Sequence, residues 1–147
     1  MDYRFKLEAL RQYRSFQEES RQKEMAEAQR IRDQEADALN ELNALREKTE
    51  RALEKECRGS STGPCLSFYN SYLNKVAADI ISQKLKLADA EKELTEKREA
   101  LLLAMQKRKT LDRLKEKGRE AYLEHLNSEE EKFINEMAIS RFNANNR

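Results

Sequence analysis

The sequence predicts an all-α fold: an antiparallel two-helix coiled-coil hairpin with a longer second helix. Three observations predict it. Charged residues make up 39% of the chain, Trp is absent, and there are only three glycines and one proline, a composition suited to long solvated helices. Apolar residues recur at helical spacing, and over one stretch at steps of seven. The helix breakers gather in one place, "RGSSTGPCL" at 58–66, which holds two of the glycines and the proline. The chain 1–147 therefore reads as one hairpin, with helix 1 over about 3–57, a turn over about 58–65 and helix 2 over about 66–142.

Helix 1 carries Phe5, Leu7, Leu10, Tyr13, Phe16, Met25, Ile31, Leu39, Leu42, Leu45 and Leu53 as its apolar positions. Between Phe16 and Leu39 this stripe thins to alanines, Met25 and Ile31. Small residues allow close approach of a partner helix but bury little area each.

The turn follows. Gly59 is suited to the left-handed conformation that ends a helix, and Gly63-Pro64 stops the first helix from continuing. Ser67 is a candidate cap for the next helix, in competition with Ser60, Ser61 and Thr62. A short loop between two amphipathic helices folds them back antiparallel. A continuous helix in a parallel dimer has no use for such breakers.

Helix 2 has the sharper pattern. Leu66, Leu73, Ile80, Leu87, Leu94 and Leu101 follow one another at steps of seven, which makes them the coiled-coil seam. Tyr69, Val76, Ala90 and Ala104 take the intermediate positions, and Gln83 and Lys97 interrupt them. After Leu101 the register is expected to shift, since Leu111 and Leu114 depart from the series. At ~1.5 Å per residue the arms measure about 80 and 115 Å. Leu42 then falls opposite Ile80, and Leu10 opposite the Leu111–Leu114 region. Beyond about Gly118 helix 2 has no intrachain partner, yet it still carries Tyr122, Leu123, Leu126, Phe133, Ile134 and Met137. An apolar stripe without a partner reads as a docking surface for another protein.

The same residues argue against other functions. There are 29 basic and 28 acidic residues, interleaved throughout, so no patch is built to attract nucleic-acid phosphates. No apolar run approaches the ~20 residues of a membrane span, and the charged opening "MDYRFKLEAL" is no secretory signal. Cys57 and Cys65 flank the turn and are expected as free thiols in a reducing compartment. With His125 the only histidine, no metal site is expected. No phosphate-cradling glycine loop and no nucleophile motif occurs, so neither catalytic residues nor a cofactor is expected.

Three stretches carry a family resemblance. They are "FKLEALRQYRSFQEE" near the start, "LSFYNSYLNKVAADI" after the break, and "EEEKFINEMAISRF" near the end. Together they resemble the flagellar type III export protein FliJ family over essentially the whole chain. In the last stretch Glu130, Lys132, Glu136, Ala138 and Arg141 match the family's glutamate-rich pattern, with Asn135 where Asp is usual. The stalk protein of virulence type III secretion systems is the nearest neighbour of this family.

The resemblance implies a non-enzymatic stalk that docks to the hexameric export ATPase and promotes its ring assembly. It implies further contacts with the ATPase regulator, the export gate membrane protein and export chaperones. The location implied is cytoplasmic, peripheral at the inner membrane, without membrane insertion, and the chain is expected as a monomer. Gate contact falls on Tyr72, Val76, Asp79 and Gln83, at helical steps of four, three and four, with Tyr72 and Gln83 expected half-exposed beside the seam. The stalk analogy places the ATPase contact at the terminal end, on Phe133, Ile134, Met137 and Arg141. The rival reading is a generic coiled-coil scaffold that dimerises through Leu66–Leu101.

Overall fold

The structure is a computed structural model and describes residues 2–58 and 63–146. Two helices, α1 (Glu8–Glu56) and α2 (Gly63–Asn145), pack against each other as an all-α hairpin, with no strand among the described residues. The expected turn residues Gly59, Ser60, Ser61 and Thr62 lie outside the described residues. Two compact units divide the chain, one of residues 20–102 and one of residues 1–19 with 103–147.

Both helix starts differ from expectation, for local reasons. α2 begins at Gly63, so Pro64 sits in its first turn, where the missing N–H leaves no intrahelical bond unmade. Ser67 therefore lies inside the helix and does not cap it. α1 begins at Glu8, not Tyr3, after a turn in which the Glu8 N–H donates to the Phe5 carbonyl at 3.2 Å. Tyr3 is drawn out of helical register by α2: its ring lies 5.7 Å from that of Tyr122, and its hydroxyl occupies the space beside Gly118 that a Cβ would fill.

In the unit of residues 20–102 the core is thin and regular. Val76, Ile80, Ala90 and Leu94 of α2 are buried, as is Ala28 of α1. Leu73 and Leu87 are half-buried, while Leu66, next to the turn, is exposed. The two polar interruptions of the α2 seam are met by glutamates. Buried Gln83 donates to both the carboxylate and the backbone carbonyl of Glu35, and the Lys97 ammonium lies 3.6 Å from the Glu24 carboxylate. Polar seam pairs of this kind fix register at some cost in stability.

In the unit of residues 1–19 and 103–147 the seam is mostly polar. Ala104 and Leu111 are buried. Around them Arg108 pairs with Glu18, Arg11 Nε donates to Asp112 at 2.7 Å, and Lys115 lies 3.1 Å from Glu8. Leu7, Leu10, Tyr13 and Phe16, expected as the apolar face of α1, are exposed instead. The charges at Arg108, Asp112 and Lys115 draw opposite charges of α1 into the seam, and its leucines are left outside.

The expected register shift after Leu101 does not occur. The steps of seven continue through Leu101, Arg108, Lys115 and Tyr122 in one row and through Ala104, Leu111 and Gly118 in the other. All seven are buried or half-buried. Leu111 belongs to the seam; only Leu114 departs from it.

Candidate docking surfaces

The register changes after Tyr122. Further steps of the same repeat fall on His125, Glu129, Lys132 and Glu136, all polar. The apolar side chains stand one residue later in each case but one, at Leu126, Phe133 and Met137, with Glu130 the exception, and Leu123 likewise follows Tyr122. One residue is a rotation of about 100° on a helix of 3.6 residues per turn. The apolar stripe of the last part of α2 is thus turned away from the row that pairs with α1. Every residue from Leu123 to Asn146 is exposed. Phe133, Ile134 and Met137 lie 63%, 57% and 44% exposed, alongside Arg141 and the equally open Ile139 and Phe142. Scattered exposed hydrophobes need no explanation, but a row at helical spacing has the form of a helix-in-groove ligand.

The second surface lies near the turn, within the unit of residues 20–102. Leu45, Thr49 and Ala52 of α1 and Phe68, Tyr69 and Tyr72 of α2 line an apolar groove. Each helix contributes residues at helical spacing, so one side of each enters the groove. Phe68 and Tyr69 meet edge to face, with centroids 5.6 Å apart. The Tyr69 hydroxyl donates to the Glu56 carboxylate, whose bond and charge hold the phenol's pKa above its ordinary value. Phe68 is 69% exposed and stands at the rim.

The four residues expected at the gate contact do not share one surface. Tyr72 lines the groove and Asp79 is exposed, but Val76 and Gln83 are buried against α1. Gln83 is thus not half-exposed, because its amide is consumed by Glu35. The α1 side of the groove, Leu45, Thr49 and Ala52, was not among the expected site residues. Its signal lay in the steps of four and three between them, which place all three beside the aromatic start of α2.

Among the described residues no cluster of acidic, histidine or cysteine side chains is placed to hold a metal, and no helix is long and apolar enough to cross a membrane. The cysteines are not free thiols as expected. Cys57 and Cys65 are joined by a disulfide with their Cα atoms 6.3 Å apart, because the close of α1 and the start of α2 bring the pair within bridging distance.

The family model described as Flagellar FliJ protein matches residues 3–147. The chain belongs to the FliJ family. This FliJ-family chain is a component of the flagellar export machinery, and the family is a non-catalytic part of that apparatus. Neither the curated proteins nor the solved structures yield a match.

Proposed function

We propose that this FliJ-family chain is a stalk and adaptor of the flagellar export apparatus, docking to the hexameric export ATPase through the exposed stripe of α2 and promoting assembly of the ATPase ring. The observation that carries the reading is the change of register after Tyr122. A helix that merely continued past its partner would keep its apolar row in line with the seam or lose it. Here the row is kept and rotated, with Phe133, Ile134, Met137 and Arg141 on or beside it. The turn end serves the export gate in this reading, through Tyr72 and Asp79 and the aromatic groove beside them, with Val76 and Gln83 supporting that surface from within. The regulator of the ATPase and the export chaperones are the further partners, and the protein works as a monomer at the cytoplasmic face of the inner membrane.

The test is a pull-down of the export ATPase by the full chain. Phe133→Asp with Met137→Asp is expected to abolish capture of the ATPase and leave capture of the gate's cytoplasmic domain intact. Tyr72→Asp is expected to do the reverse. Undiminished capture of the ATPase by the double variant overturns the terminal docking site.

A further inference from the structure

The disulfide sits where it can act on a surface. Cys57 follows Glu56 directly, and Glu56 accepts the hydrogen bond of Tyr69. Cys65 lies in the first turn of α2, one turn before Tyr69 and two before Tyr72. The bond therefore ties the end of α1 to the start of α2 at the mouth of the groove that Leu45, Thr49 and Ala52 form with Phe68, Tyr69 and Tyr72. Beside it the Tyr69 hydroxyl donates to the Glu56 carboxylate, and of the groove residues named here Thr49 alone is buried. Both cysteines are half-buried and neither is sealed in a core, so small thiols have access to them.

We propose that Cys57 and Cys65 are a reversible thiol–disulfide modification site that sets how firmly the apolar groove at the turn is closed. The co-reactant is a low-molecular-weight disulfide of the glutathione class. One cysteine thiolate attacks a sulfur of that disulfide, forms a mixed disulfide and releases one small thiolate. The second cysteine thiolate then attacks the protein sulfur of the mixed disulfide, closing the Cys57–Cys65 bond and releasing the second small thiolate. Two protein thiols are oxidised, one small disulfide is reduced to two thiols, and the protons of the protein thiols end on those products. Excess small thiol reverses both steps. In the oxidised form the first turns of α2 are held on α1 and the groove keeps its shape. In the reduced form this end opens more often, because the loop is no longer closed covalently. The proposal does not rest on the export reading, since its readouts are covalent state and backbone protection.

The experiment uses the full chain in glutathione buffers of graded thiol-to-disulfide ratio, quenched with an alkylating agent and weighed intact. The expected result is a two-state change between a species with two alkylated cysteines and one with none, reversible within the buffered range. Hydrogen exchange of residues 66–72 is expected to be roughly tenfold or more faster in the reduced form, and residues 104–122 unchanged. Cys57→Ser should exchange like reduced wild type under all buffers. Thiols that remain alkylatable in pure glutathione disulfide, a bond that excess thiol does not open, or a mixed adduct that never closes would each overturn the site. Equal exchange of residues 66–72 in both forms would overturn its coupling to the groove.

Discussion

Gln83 is buried against Glu35, and its amide donates to that residue twice, to the carboxylate and, at 3.0 Å, to the backbone carbonyl. A polar pair set between the apolar residues Val76, Ile80 and Ala90 of the seam is a register pin: only one alignment of the helices lets each group find the other. Glu35→Ala leaves the buried amide with the carbonyl alone and is expected to cost about 1–3 kcal/mol. Replacing both residues by Leu is expected to recover that stability or exceed it while weakening the preference for one alignment. Urea denaturation of the two variants beside the wild type checks the first point, and light scattering the second, since a chain freed from its register is open to pairing with other copies.

The thin core makes a few residues matter greatly. Ile80 and Leu94 are each 3% exposed, and truncation to Ala removes a side chain that the neighbouring alanines cannot replace. Each substitution is expected to cost about 2–4 kcal/mol. Phe142→Ala, on the exposed last stretch of α2, is expected to stay within about 0.5 kcal/mol. The denaturation midpoints of the three proteins give the comparison, and it separates residues kept for folding from those kept for partners.

Acid is expected to loosen the polar seam. Burial pushes the Asp112 carboxyl up, but the bonds and charges of Arg11 and Arg108 outweigh it and hold its pKa below the ordinary value. Glu8 is lowered as well, chiefly by its bond to Lys115. A carboxyl with a lowered pKa in the folded state contributes stability above its unfolded value, near 4, and loses it as pH falls through the folded value. The melting temperature should therefore hold between about pH 5 and 7 and fall below about pH 4. Asp112→Asn should start lower at neutral pH and fall less steeply, and parallel profiles for the two proteins would contradict this.

Much of the fold was legible in the sequence because its signals are local. Breakers at 58–66 mark the turn, and the steps of seven from Leu73 onward mark the row that faces α1. What escaped is what one helix imposes on the other. Arg108 and Lys115 look like the end of a seam until Glu18 and Glu8 are found opposite them, and so the change of register reads as falling after Leu101 and not after Tyr122. The same cause exposes Leu7 and Leu10, whose spacing alone marks them as core. Tyr3 leaves the helix for a gap at Gly118 that lies far away in sequence. The site divides the same way. The exposed residues Phe133, Ile134 and Met137 follow from spacing, whereas the burial of Val76 and Gln83 required the partner helix.

If the rotated stripe of α2 acts on the export ATPase, the ATPase's hydrolysis rate responds as the chain is titrated in. The wild-type chain is expected to raise the rate to a plateau as rings assemble. Phe133→Asp with Met137→Asp, matched to wild type in helix content and melting temperature, is expected to leave the rate at its basal value. A titration in which the double variant reproduces the wild-type plateau at the same concentrations would contradict it.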